Sequence, residues 1–453
     1  MRMHPALRQV DWDREGAAAV ELLRDLIRFD TTNPPGDEAA CAAFCADRLR
    51  DAGLEPEILT SAPGRDNVVA RMTGGVEPPL LLTAHLDVVP AEADRWTHPP
   101  FAAEIADGHV WGRGAIDMKN MAAMSLAVVG MLARCGAPLR RDVLFAGVAD
   151  EEDGCAHGSA WLVERHPDKV RAGYALGEVG GFTINVGGRA VYPVQIAEKG
   201  VCWIRARASG STGHGSVPRA DNAVVRLSEF LARVGRTRLP VHLSPAVERF
   251  VRELAATQPR PARDVLPLVL NPRLSGMVTG RLIRDASVGR TLAALVRNTA
   301  SPTILRAGSR VNVIPGSAEA ELDGRIAVGS SEAELMAELR ALAGPHVELE
   351  VVGSRSPHEA PAETPLYATI AEVVGEHHPG AVAIPSVIPG FTDAHYWSQL
   401  GTICHGFSPV RLEPGGVAFA DLFHADDERI PVAGFTAGLR MLADAVFRFC
   451  VAD

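Results

Sequence analysis

Apolar residues recur at helical spacing through AAAVELLRDLIRF (17–29), which predicts an amphipathic helix. The breaker cluster TTNPPG (31–36) ends it, and DEAACAAFCADRLRDAG (37–53) predicts a second helix stopped at Gly53. NVVARM (67–72) and PLLLTAH (79–85) predict strands, the second apolar throughout as in a strand buried on both faces. MKNMAAMSLAVVGMLARCG (118–136) predicts a helix and DVLFAGVAD (142–150) another buried strand. This alternation describes an α/β sheet with helices on both faces.

The pattern changes near Glu198. VCWIRARASG (201–210), AEAELDGRIAV (318–328) and VELEVVG (347–353) read as strands, the first two alternating as strands with one solvated face do. DNAVVRLSEFLARVG (221–235) and SEAELMAELRALAG (331–344) read as helices. These segments predict an α+β module at 198–355, inserted into a domain formed by 1–197 and 356–453. Residues 240–305 within it are Pro- and Arg-containing and partly helical, and read as an added helical segment. Beyond 357 the buried style returns, with a strand at 401–410 and a helix from Val432.

At 453 residues, 47% hydrophobic and 22% charged, the chain has the balance of a folded protein of two domains. A formal charge of -10 with dispersed arginines gives no sign of a nucleic-acid partner. No apolar run is long enough to span a bilayer, and the N-terminal stretch lacks a signal core, so a cytoplasmic location is expected. Seven cysteines without a C-x-x-C pair argue against a disulfide framework or a thiolate metal site. Any metal would be held by His, Asp and Glu.

Those residue types fall at strand ends. His85 and Asp87 close the strand at 79–85, and Asp117 sits in the Gly-rich loop GRGAIDMKN before a helix. Asp150, Glu151 and Glu152 follow the strand at 142–150, Glu178 follows YALG, and His424 is placed near a helix start in DLFHADDERIP. Singly, each has a plainer reading: a hydrogen-bonded histidine, a solvated acidic loop, a packing turn. Together, at one edge of one sheet, they would repel strongly without cations, and two divalent metals would resolve the repulsion. Ligation by His and carboxylate suits zinc.

The order H-L-D, G-R-G-A-x-D-M-K, D-E-E, G-E and H-A-D-D-E-R resembles the zinc metallopeptidase family of aminoacylase, carboxypeptidase G, acetylornithine deacetylase and succinyl-diaminopimelate desuccinylase, from about residue 17 to 450. The resemblance implies a mixed-sheet, dinuclear-zinc catalytic domain with an inserted lid and dimerisation domain. It assigns His85 and Glu178 to one metal, Glu152 and His424 to the other, and Asp117 to both, with a cis Asp117–Met118 bond. Asp87 would orient His85, Glu151 would be the general base toward a bridging hydroxide, and Asp150 would be structural. The metals would be zinc, with cobalt or manganese as alternatives.

In the inserted module, His214 of STGHGSVPRADNA matches the lid histidine that stabilises the oxyanion and that dimeric relatives take from the neighbouring subunit; its plainer role is to cap a turn. Asn312 and Arg325 match substrate-binding positions, and Arg325 could clamp a carboxylate or be a surface strand arginine. Thr392 lies in PGFTDAHYW, similar to the family's pocket loop, with Phe391 where the family has a second glycine. The segment 240–305 is read as an acyl or peptide pocket. The implied activity is hydrolysis of an N-acyl amino acid or of the C-terminal residue of a short peptide. The alternatives are a dedicated deacylase of an acetylornithine- or succinyl-diaminopimelate-like intermediate and, more remotely, a silent binding homologue. The implied partners are the small substrate and a second copy through the lid, with neither nucleic acid nor membrane.

Overall fold

The computed structural model describes residues 3–283, 286–413 and 419–452. The chain forms two compact units: residues 1–196, 360–385 and 392–453, and residues 197–359 with 386–391.

The first unit is built on a mixed sheet. Its strands run in the order Glu57–Ala62, Arg65–Met72, Arg141–Val148, Glu77–His85, Tyr174–Gly177, Ile403–Gly406 and Arg189–Glu198. The central four are mutually parallel, while Arg65–Met72 and Arg189–Glu198 pair antiparallel to them. Leu81, Leu144, Ala146, Val148 and Ala175 are buried on the parallel strands and pack with Leu162 and Trp397. That two-sided burial is why these segments are apolar throughout. The helices Trp12–Ile27, Ala39–Asp51, Lys119–Cys135 and Val432–Cys450 cover the sheet. Asp11 caps the first, its side chain accepting the Arg14 N–H, and Gly136 ends Lys119–Cys135 in the left-handed conformation.

The second unit has a four-stranded antiparallel sheet in the order Thr299–Ala307, Ser317–Ile326, Gly200–Ser209 and Val347–Arg355. On Ser317–Ile326 every second residue is buried. The helix Ala223–Arg236 presents Ala223, Leu227, Phe230 and Val234 to the same core, at the i, i+4, i+7, i+11 spacing of one helical face. Asn222 caps this helix through the Val224 N–H.

Several elements differ from their predicted form. The segment 240–305 is helical only to Leu295: Pro245–Ala256 and Ala286–Leu295 are helices, but Thr299–Ala307 is an edge strand of the sheet. Positions 284–285 of that segment lie outside the described residues. The strand predicted over 401–410 is only Ile403–Gly406, and that predicted over 142–150 stops at Val148 because Asp150 has φ +67°. His424 is not at a helix start. It occupies a turn with φ +59°, and the helix begins at Val432. All seven cysteines are free thiols, and no helix of the described residues is long and apolar enough to cross a membrane.

Candidate metal centre

The parallel strands deliver their chemistry at one edge, where their carboxyl ends lie. His85 is the last residue of Glu77–His85, Glu151 and Glu152 follow Arg141–Val148, and Glu178 follows Tyr174–Gly177. Asp117 precedes the helix Lys119–Cys135, and its bond to Met118 is cis. Backbone conformation aims several of these groups. Asp150, Val179 and His424 all have positive φ, which is uncommon outside glycine and unfavourable for a β-branched valine. Such residues collect where a site is held against local preference.

The Asp117 carboxylate lies between two imidazoles. Its Oδ1 is 3.2 Å from His85 Nε2 and its Oδ2 is 3.1 Å from His424 Nε2. Glu178 Oε2 is 3.6 Å from His85 Nε2, and Glu152 Oε2 is 3.2 Å from His424 Nε2. The donor atoms of His85, Glu151 and Glu178 lie within 4.8 Å of one another, as do those of His85, Asp117 and Glu152. Glu152 Oε1 is buried without a hydrogen-bond partner. These imidazole and carboxylate donors are of the types that divalent cations take.

The electrostatics agree. Burial would lower the His85 imidazole, but Asp117, Asp87 and Glu178 hold it well above its usual range. Asp117 and Glu152 raise His424 to about 10. Burial pushes Glu178 up to about 8 and, with Glu178 adjacent, holds Glu151 far above the ordinary carboxyl value. Asp117 goes the other way: burial is outweighed by His424 and His85, which keep it ionised. The field that raises the imidazoles is one that attracts cations.

A set of buried bonds supports these donors. His85 Nδ1 lies 3.0 Å from the Asp87 carbonyl, to which it can donate, turning Nε2 toward the centre. The Asp87 carboxylate sits 3.5 Å from the same ring nitrogen. It accepts from the Glu151 and Glu152 N–H groups, each at 3.1 Å, and from Asn33 Nδ2 at 2.8 Å. Asp150 pairs with Arg65 at 2.7 Å and accepts from Asn33 and the His157 N–H. Glu428, fully buried, accepts from Arg113 and from the Gly114, Ile116 and Asp117 N–H groups, and so latches the Asp117 loop. Asp393, raised to about 6 by burial, takes the Ser159 hydroxyl. Sequence reasoning passed over Asn33, Glu428 and Asp393, although all three sit inside quoted segments.

The remaining candidates are placed as follows. Thr392 is buried beside Glu178 and Asp393 on the wall of a void of about 20 Å³, and its hydroxyl accepts the Ala394 N–H. In the second unit, exposed His214 pairs with Val313, and its Nδ1 is 2.7 Å from Ser216 Oγ, so it does organise a turn. Asn312 is exposed, and its carbonyl accepts the Gly215 N–H at 2.8 Å, close to His214. Arg325 pairs with Asp323 on its own strand at 2.9 Å. It stands opposite Val201, whereas His214 follows the far end of Gly200–Ser209. The strand from Ser317 to Arg325 spans roughly 26 Å, with Arg325 at the end away from the His214–Asn312 turn. Phe391 lies under the Arg355 guanidinium, 4.8 Å from ring centre to carbon.

A mixed α/β sheet with paired His/carboxylate donors at its carboxyl edge, and a separate antiparallel lid-type unit, defines a metallohydrolase. Residues 81–448 match the model of peptidase family M20/M25/M40, and the chain belongs to that family. Pig (Sus scrofa) aminoacylase-1 is 29% identical over 438 residues, covering 94% of this chain and 94% of the relative. The M20 family metallo-carboxypeptidase Sso-CP2 of Sulfolobus solfataricus shares the fold with a TM-score of 0.71 at 17% identity, over 94% of this chain and 98% of that one. Bacillus subtilis YXEP, a dinuclear metal binding peptidase of the M20 family, superposes with a TM-score of 0.60 at 15% identity, over 96% and 99% of the two chains.

Proposed function

We propose that this protein hydrolyses the amide bond of N-acyl amino acids or releases the C-terminal residue of short peptides, using two zinc ions. The observation that carries this reading is Asp117 set between His85 and His424, with Glu151 alongside, its carboxylate within 4.8 Å of the His85 and Glu178 donor atoms. Aminoacylase-1 and the metallo-carboxypeptidase are relatives whose names match these two substrate types, and YXEP is described as dinuclear.

His85 and Glu178 would hold one cation, His424 and Glu152 the other, with Asp117 shared. The bound pair would polarise the amide carbonyl and lower the pKa of water between them. Glu151 would take the proton of the attacking water and return it to the leaving amine. Asp87 fixes Glu151 and Glu152 through their N–H groups. His214 would donate to the developing oxyanion with Asn312 beside it, and Arg325 would clamp the substrate carboxylate in place of Asp323. Thr392 would line the pocket wall. Because His214 and Arg325 occupy opposite ends of one lid sheet, we assign them to two copies of the chain. The exposed edge strand Thr299–Ala307, with Ile304 and Leu305 facing solvent, supports pairing of lids.

The test is hydrolysis of a panel of N-acyl amino acids and dipeptides by the metal-loaded and metal-stripped protein, with Glu151→Ala alongside. Metal-dependent turnover lost in the variant is expected. No turnover of any panel member by the fully loaded protein would overturn the proposal.

A further inference from the structure

A second cavity, of about 780 Å³, lies wholly within the second unit, between the end of the helix Ala223–Arg236, the start of the strand Thr299–Ala307 and the helices of 275–295. Its lining includes Arg238, Arg281, Arg290 and Arg297 with the hydroxyls of Thr279 and Thr299, and no aspartate or glutamate among the described residues. That is a concentration of positive charge in a chain of net charge -10.

Arg297 is the decisive residue. It is 6% exposed, yet its Nε and Nη1 are buried with no hydrogen-bond partner. A buried guanidinium without a counter-charge is costly, and an unsatisfied group of this kind calls for an explanation. Burial, and then Arg238, draw its proton affinity below the usual arginine value. Glu338, bonded to Asn298 on the cavity wall at 3.0 Å, is already taken up by His242 at 2.6 Å. Behind the wall, buried Lys199 donates to the carbonyls of Ala294 and Arg297 and to Thr299 Oγ1 at 2.8–3.2 Å, which fixes the wall. Exposed Arg238 donates to the Gly276 carbonyl, and a Cβ at Gly280 would lie 2.6 Å from its Nη2.

We propose that this cavity binds a small oxyanion carrying two or more negative charges, a phosphate- or carboxylate-bearing metabolite, at a site separate from the metal centre. The guanidinium fork of Arg297 supplies the paired donors that such groups accept, and the threonine hydroxyls supply neutral ones. The volume is that of a metabolite pocket. The four arginines also make it ill-suited to the acyl chain expected of this segment from sequence.

The experiment is thermal unfolding of the metal-loaded protein at constant ionic strength in chloride, titrated with inorganic phosphate and, separately, with succinate. Wild type is compared with Arg297→Met and with Arg290→Gln, which is exposed. All three keep the metal centre, so anion binding there cancels in the comparison. The wild-type Tm is expected to rise with at least one anion, and which anion acts distinguishes phosphate from carboxylate ligands. Arg297→Met should fold with no less stability than wild type when no anion is present, and should lose the rise. Arg290→Gln should need roughly tenfold more anion or beyond for the same rise. Equal rises in all three proteins, or none with either anion, would overturn the proposal. So would a flat response together with a dimer that dissociates in Arg297→Met, which would place the partner copy in the cavity.

Discussion

Replacing Asp87 by asparagine keeps the shape of the side chain and removes one acceptor atom, at a point where three donors converge. Oδ1 takes the Glu151 N–H at 3.1 Å, and Oδ2 takes the Glu152 N–H at 3.1 Å and Asn33 Nδ2 at 2.8 Å. An amide turned one way sets its NH2 against Glu152 and Asn33; turned the other way, it faces Glu151. At least one buried backbone donor is orphaned in either case, at about 1–3 kcal/mol, and charge-assisted bonds of about 1.5–3 kcal/mol each become neutral ones. The sum is a loss of about 3–5 kcal/mol from the first unit. Because His85, Glu151 and Glu152 all lean on Asp87, metal affinity should fall roughly 10–100-fold. Urea unfolding of the metal-free protein measures the first quantity, and competition with a chromophoric chelator the second. A variant with unchanged midpoint and slope, and metal affinity within about twofold of wild type, would refute the positioning role given to Asp87.

Three further substitutions probe other parts of the molecule. Glu428→Ala strips the partner from buried Arg113 and from the Gly114, Ile116 and Asp117 N–H groups, and should cost about 3–5 kcal/mol in denaturant unfolding, with weakened metal binding. Phe230→Ala empties a fully buried site in the lid core and should cost about 3–5 kcal/mol, read from the unfolding of the second unit. Asp444 is buried, and although burial alone would raise it, His377, Arg448 and the His4 N–H hold its pKa below the usual carboxyl range. Its contribution is therefore present above about pH 4 and lost as pH falls through the lowered folded value, so Asp444→Asn should unfold more easily than wild type at pH 6 while the gap narrows toward about pH 3.

How much of this was legible depended on whether the cause was local. Ala223, Leu227, Phe230 and Val234 mark a helix because their spacing alone makes one apolar face. Leu80, Leu81 and Leu82 mark a central strand because burial on both faces leaves no polar position. The end of the segment 240–305, with Pro302 in it, carries no strand signal, yet Thr299–Ala307 is a strand. On an edge strand proline is tolerated, and the ladder slips at Pro302/Ile304. Glu57–Ala62 was missed for a similar reason: it is half-exposed at the sheet's other edge and lacks an apolar run.

The same division applies to the site. His85, Glu151, Glu152 and Glu178 stand just at or after apolar strands, so their convergence follows from the parallel order of those strands. Asn33 and Glu428 reach the site from 54 and more than 300 residues away, and no local pattern announces a bond of that length. The separation of Arg325 from His214 and Asn312 was equally hidden. It depends on which end of an antiparallel ladder each residue joins, and only the register shows it.

The most direct test of the account is a paired measurement on Glu151→Gln: metal content by elemental analysis and turnover of an N-acyl amino acid that the wild type hydrolyses, on the same preparation. Two metal ions per chain with turnover lost by several orders of magnitude is the result expected of the proposed role, in which Glu151 would carry the proton and would hold neither cation. A variant that retains turnover, or a wild-type chain that binds a single metal ion at full activity, would contradict it.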